Sequence, residues 1–332
     1  MIANAFVREC AGHAPVRAVP LDEVRALRLE QHDLVWVDIQ APGPDDLALV
    51  KRTFGFHPLA LEDVSRQHQR PKVDEYPGNY FVVLYAVRPD GQAGPLRTSE
   101  LQFFWGKNYL VTLHAEPWPE ITDLARRLER RELGPVNGAA GREVGVTDLV
   151  YRLVDATVDG YFPAVDSIAE RSEDIEERMF NSGGGPQTLQ EIFGLKKDLL
   201  HLRKVIAPSR DVLNVLLRRD LGLFGGEFIP YFQDIYDHTV RVIDSLDTYQ
   251  DLLSSAVDVY LSLISNSVNQ AVKTMTAITA ILMVLALIAG IYGMNFQEMP
   301  ELRWRFGYAW ALGLMATSAV GLWFLFRRIR WL

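Results

Sequence analysis

Residues 291–302 read IYGMNFQEMPEL and lie between the two long charge-free runs of the chain, a position that decides the fold. Upstream, residues 274–297 hold no Asp, Glu, Lys or Arg around an apolar centre at 277–292; downstream, residues 306–326 are uncharged and rich in Leu, Ala, Trp and Phe. About 20 apolar residues cross the hydrocarbon core of a bilayer, so the second run spans it outright. The first spans it when its polar shoulder, Ser267, Asn269, Thr274 and Thr276, is shielded from lipid. A buried hairpin of two core helices is the competing reading, disfavoured because soluble helices rarely stay uncharged on every face for this length. The sequence therefore predicts a two-helix membrane hairpin with the quoted stretch at its tip.

Orientation follows from the flanks. Lys273 precedes the first run and Arg327, Arg328 and Arg330 close the second, while the connecting loop mixes Glu298, Glu301, Arg303 and Arg305. Basic ends stay in the cytoplasm, so both termini are expected there and the short loop outside. The opening MIANAFVRECAGHAPVRAVP has charges where a signal peptide needs an apolar core. Everything before residue 273 is then expected to be cytosolic.

Charge and residue usage narrow the function. With 34 Lys and Arg against 42 Asp and Glu, the formal charge is −8, which argues against nucleic acid and mildly favours cations as partners. The lone Cys10 cannot form an intrachain disulfide, as suits a reducing compartment. Seven scattered His and no Cys pair make a structural zinc site unexpected. No GxxxxGK[ST] loop is present, and the glycines at 183–185 read as a flexible turn before Pro186, so no nucleotide is expected. Nor can a nucleophile–base pair be placed, so an enzyme is the least supported class.

Strand signals at residues 34–39, 80–87, 100–105 and 109–114 alternate with helical ones at 44–53, 58–67 and 118–133, giving an α/β domain over residues 1–140. After the Gly-rich 134–145, a helix is predicted over 146–181 and another over 189–217, interrupted near Pro208. A last helix has no Pro between residues 231 and 299 and no Gly between 228 and 289. Its roughly 60 residues, about 90 Å at 1.5 Å each, must run from the domain into the membrane. The expected divisions are 1–140 (α/β), 141–227 (helical), 228–272 (stalk), 273–292 (first span), 293–306 (loop), 307–326 (second span) and 327–332 (basic tail). The acids of 166–177 read as a solvated helix face, and Trp304, Trp310, Trp323 and Trp331 as interfacial anchors.

Within the long helix, Asn269, Val272, Met275, Thr279, Met283, Ala286 and Gly290 recur at spacings of three or four and form one uncharged stripe. Around a symmetric axis such a stripe lines a narrow pore. Ordinary helix packing through small residues is the alternative.

The text around residues 291–302 resembles the signature of the CorA family of magnesium transporters, in Tyr292-Gly293-Met294-Asn295 and in Met299-Pro300-Glu301-Leu302. LEDVSRQHQRPKV at 61–73, PYFQDIYDH at 230–238, VYLSLISN at 259–266 and the basic tail ending Trp331-Leu332 resemble the same family's bacterial cobalt/magnesium branch, from about Trp36 to the end. The resemblance implies a homopentameric funnel in the inner membrane, with an α/β cytosolic domain and a long stalk helix continuing into a two-helix transmembrane hairpin. It also implies that Gly293, Met294 and Asn295 form the selectivity filter. Asn269, Thr279 and Gly290 would be polar stations of the pore, and Val272, Met275 and Met283 apolar constrictions. Relatives often carry Leu and a second Thr where this chain has Met275 and Ala286.

The same resemblance assigns regulatory Mg²⁺ to carboxylates between subunits: Glu62 and Asp63 in LEDVS, Asp159 in DATVDGYF and Asp234 in PYFQDIYD. Relatives often have a second acid where this chain has Gly160. Three readings stay open: a passive Mg²⁺ channel that also takes Co²⁺ or Ni²⁺, a Zn²⁺ transporter of the same fold, and a membrane-anchored sensor or scaffold that carries no ions.

Overall fold

Seven strands, β1 (Ile2–Glu9), β2 (Arg17–Val19), β3 (His32–Gln40), β4 (Lys72–Tyr76), β5 (Asn79–Pro89), β6 (Leu96–Gly106) and β7 (Tyr109–His114), form one sheet in the order β2-β1-β3-β7-β6-β5-β4. The computed structural model describes residues 2–9, 16–24, 31–66, 68–89, 96–136, 138, 142–182, 185–218, 225–295 and 300–332. Strands β3 and β7 run parallel, Val35 opposite Tyr109 and Gln40 opposite His114, and every other neighbouring pair is antiparallel. The four strands expected from sequence, β3, β5, β6 and β7, are contiguous in the sheet. Strands β1, β2 and β4, and the one-turn helix α1 (Leu21–Val24), are additions.

Both faces of the sheet are covered. Successive side chains in a strand point to opposite faces: Phe104 stacks on Phe56 at 3.7 Å between centroids, while its neighbour Trp105 meets Phe232 at 6.2 Å. Helices α2 (Pro44–Phe54) and α3 (Pro58–Ser65) flank Phe56, and both start on Pro, whose missing N–H is no loss in a first turn. Helix α2 stops at Gly55, which takes φ 72° and bonds back to the Lys51 carbonyl at 2.9 Å. Helix α4 (Pro119–Glu129) lies against α5 (Val146–Asp159), and α5 in turn against β3, β5, β6 and β7. The buried Asp148 carboxylate fixes the start of α5, accepting from the backbone N–H of Gly145 (2.7 Å) and of Val136 (2.8 Å) and from Arg142 (2.5 Å).

Two helical expectations need correction. The helix expected over 146–181 is two, α5 and α6 (Tyr161–Ser182), divided at Gly160. The interruption expected near Pro208 is absent: α7 (Pro186–Leu216) runs through it. Proline removes one backbone hydrogen bond, and here it is buried on the helix face that packs against β4 and β5, so tertiary contact overrides local propensity. Cys10 and residues 183–184 of the expected glycine turn lie outside the described residues.

The chain divides into two units, Met1–Glu177 with Pro186–Ser254, and Arg178–Gly185 with Ser255–Leu332. The sheet belongs to the first. The second contains the later part of α8 (Ile229–Tyr292), a short 3-10 turn (Pro300–Arg303) and α9 (Gly307–Arg328). Helix α8 is unbroken over 64 residues, and α8 and α9 are long and apolar enough to cross a membrane. Their most apolar windows are 11% and 0% buried within the chain, unlike core helices of a soluble protein. Thr274 donates to the Trp331 carbonyl at 3.0 Å and ties the chain's last residues to α8.

Candidate functional site

In the second unit, α8 has two distinct faces. At 100° per residue the seven stripe positions fall within a sector of about 120°. All seven are exposed, Met275 and Met283 at 70% and 66%. The covered and half-covered positions, among them Thr274, Ala277, Ile281, Leu285 and Ile288, occupy the opposite side of the helix. The uncharged stripe is thus the face of α8 that its own chain leaves open, Asn269 and Thr279 included.

Helix α8 ends in a tight turn. The Gly293 N–H bonds to the carbonyls of Ala289 (2.9 Å) and Gly290 (3.2 Å), and the Met294 N–H to that of Ile291 (3.3 Å). A Cβ on Gly293 would lie 3.1 Å from the Ala289 oxygen, so the turn is drawn tighter than a side chain comfortably allows. Asn295 follows, exposed and with no side-chain hydrogen bond to another described residue. Residues 296–299, including Met299 of the expected motif, lie outside the described residues. Trp304, Trp310 and Trp323 are exposed, as membrane-interface side chains of a single chain would be.

In the first unit the structure brings Asp159 and Asp234 together, one closing α5 and the other on the first turns of α8. Between them stands His238, its Nδ1 3.9 Å from Asp159 and its Nε2 3.8 Å from Asp234. Asp155 adds a further acid, its carboxyl pushed up to about 6, first by burial and then by the Asp159 charge. The same acids, after burial, push the Tyr151 phenol up to about 12. Asp155 and His238 were missed in the sequence, although each lies four residues from a recognised acid and so on its helix face. The His238 Nδ1 is buried without a hydrogen-bond partner.

Glu62 and Asp63, on α3, form a separate group. Glu62 pairs with Arg66 at 2.7 Å, and Asp63 with Lys72 at 2.7 Å, where Asp74 also binds. Burial works against the Lys72 charge, yet the hydrogen bonds to Asp63 and Asp74 hold its pKa above the usual lysine range. No hydrogen bond or ion pair between described residues joins these acids to Asp159 or Asp234. Among the described residues, no three His, Cys, Asp or Glu side chains are grouped to hold a metal ion within one chain.

Comparison with known proteins fits this geometry. A family model described as CorA-like Mg²⁺ transporter protein matches residues 31–328. The cobalt/magnesium transport protein CorA of Thermotoga maritima is 37% identical over 298 residues, covering 90% of this chain and 83% of its own. Its namesake in Methanocaldococcus jannaschii is 27% identical over 312 residues, covering 94% and 95%. The solved complete structure of the CorA magnesium transporter from Methanocaldococcus jannaschii superposes with a TM-score of 0.82 at 26% identity, covering 100% of this chain and 99% of that one.

Proposed function

The chain belongs to the CorA-like Mg²⁺ transporter family, whose members are transporters and not enzymes, and from that premise we propose that it is a passive channel admitting divalent cations to the cell. Mg²⁺ is the main cargo and Co²⁺ a second, as in the names of its relatives; Ni²⁺ and Zn²⁺ are further candidates, because a filter that contacts the ion's waters reads hydration more than identity. The observation that carries this reading is the uncharged stripe of α8, open on the side opposite the helix's covered face. In a ring of chains, five in this proposal, the stripes line a common axis. The pore then runs through Asn269, Val272, Met275, Thr279, Met283, Ala286 and Gly290, with Gly293, Met294 and Asn295 at its outer mouth. The protein is a two-span protein of the bacterial cell membrane, with both termini in the cytoplasm.

Mg²⁺ gives up its octahedral waters reluctantly. Exposed Asn295 carboxamide oxygens can accept hydrogen bonds from those waters and recognise the hydrated ion at little dehydration cost. The apolar side chains of Val272, Met275 and Met283 can close the path by dewetting. A membrane potential supplies about 2.3 kcal/mol per charge per 100 mV, hence about 4.6 kcal/mol for a divalent ion, and inward flow needs no nucleotide.

Closure belongs to the carboxylates. Asp159 and Asp234, with Glu62 and Asp63 from a neighbouring copy, bind intracellular Mg²⁺ between subunits and hold the ring shut. The position of Asp155 supports this: burial raises its carboxyl first, and the neighbouring Asp159 and Asp234 charges add to that, so further negative charge stands beside the pair. A divalent ion there turns repulsion into a crosslink. The stripe is tested in a Cys10→Ser background by comparing Thr279→Cys with Ile281→Cys, on opposite faces of α8. A membrane-impermeant thiol reagent is expected to block Mg²⁺ flux through the first and spare the second. Flux untouched at 279, or blocked equally at both, would contradict a pore along this face.

A further inference from the structure

The first unit holds a cavity of opposite character to the acid cluster. It measures about 780 Å³ and lies between residues 68–71, Tyr85 of β5, Thr98 of β6 and residues 200–208 of α7. Its ionisable lining is basic: Arg70, Arg203 and Lys204, joined by His68 and His201, with no Asp or Glu among the described lining residues. In a chain of formal charge −8, composition does not account for such a concentration. Arg203 pairs with Asp247, whereas neither Arg70 nor Lys204 has a carboxylate partner among the described residues. Arg70 and Lys204, cations at one cavity without a carboxylate partner among the described residues, favour a bound anion there.

The rim is fixed from below. Glu100 accepts from the backbone N–H of His68 at 2.6 Å and of Gln69 at 3.4 Å, and the Gln69 carbonyl accepts from the Tyr85 hydroxyl at 2.6 Å. These bonds hold His68 at φ 74°, a left-handed conformation that a residue with a Cβ seldom adopts. On the facing helix, His201 Nε2 is 3.3 Å from the Thr98 hydroxyl. Pro71, Val205 and Pro208 are buried and give the cavity an apolar floor. Sites for small organic ligands combine such a floor with a few converging polar groups, in volumes of about 300–1,000 Å³.

We propose that this cavity binds a small organic phosphate, Arg70 and Lys204 taking the phosphate oxygens and the apolar floor the carbon skeleton. Guanidinium and ammonium groups are the side chains that hold phosphate by charge-assisted hydrogen bonds. This inference is independent of the transport reading, since a phosphate site between the sheet and α7 would stand whichever ion the protein moves.

The test is calorimetric titration of the purified full-length protein in neutral detergent and EDTA. Phenyl phosphate serves as the soluble probe, inorganic phosphate as its comparison and dihexanoyl phosphatidylglycerol as the lipid probe. Phenyl phosphate is expected to bind saturably, one per chain, at least tenfold tighter than inorganic phosphate. The double variant Arg70→Gln/Lys204→Gln is expected to weaken it at least tenfold. Arg127→Gln/Arg210→Gln, an equal loss of charge outside the cavity, is expected to leave it unchanged. Ala207→Glu, which places an acid in the lining, gives an independent check and is expected to abolish binding. Saturable binding of the lipid probe alone, lost in the same variants, would support the site and assign the phosphate to a headgroup. No saturable binding of any probe, or equal weakening by both charge-loss pairs, would overturn the proposal.

Discussion

Asp155 is the acid of the cluster whose carboxyl the fold raises. Its carboxyl is pushed from an ordinary 3.8 up to about 6, chiefly by burial. A carboxyl raised in the folded state favours folding most at low pH, so its stabilising contribution is lost as pH rises from about 4 through about 6. Without divalent ions, Asp155→Asn is expected to remove that slope and raise the melting temperature at pH 7, read by thermal denaturation in EDTA from pH 4 to 8. Identical profiles for the two proteins would count against the cluster as a charge reservoir. Gly160 offers the converse change: a Cβ there would meet the Thr157 and Val87 carbonyl oxygens at 3.4 and 3.5 Å, ordinary contact distances. Millimolar Mg²⁺ is expected to raise the melting temperature of the native chain, and Gly160→Asp is expected to fold and to enlarge that rise. A smaller rise would mean that residue 160 faces away from the ion.

At the scale of elements, the tight end of α8 carries a sharp expectation. Gly293→Ala brings a methyl to 3.1 Å from the Ala289 oxygen, so the turn must open and displace Asn295. Flux is expected to fall several-fold while the protein still assembles, read by ion uptake and by native mass. Much of the element plan was legible in the sequence, because the long strands and α8 carry their signals locally: dense β-branched and aromatic runs, or a long absence of Pro and Gly. Strands β1 and β2 were not, since β1 is placed by pairing with the distant β3 and β2 by pairing with β1, and β4 is a charged edge strand whose pairing with β5 supplies its order. Pro208 misled for the same reason in reverse: a strong local breaker is held inside α7 by packing that sequence alone does not display. Of the candidate site, the stripe was readable as a periodicity, but its openness was not. Asp159 and Asp234 came from motif resemblance, while Asp155 and His238 became visible only when α5 and α8 met.

The proposed pore needs more than one chain. The stripe is exposed, no group of acids among the described residues is arranged to hold a metal ion within one chain, and the apolar windows of α8 and α9 are almost wholly unburied within it. Native mass spectrometry of the detergent-solubilised protein is expected to give five copies; a monomer would contradict the ring. Asp234→Ala is expected to keep influx high at millimolar internal Mg²⁺, where the native chain is expected to close, and an unaltered closure would remove Asp234 from the proposed regulatory set. The most direct test is Mg²⁺ influx into proteoliposomes under a negative-inside potential, followed by an internal Mg²⁺-sensitive dye, for the native chain and Asn295→Ala at low and high internal Mg²⁺. Native influx is expected to slow as internal Mg²⁺ rises and to fall at least tenfold in Asn295→Ala; absent native influx, or influx indifferent to Asn295, would contradict a pore with Asn295 at its mouth.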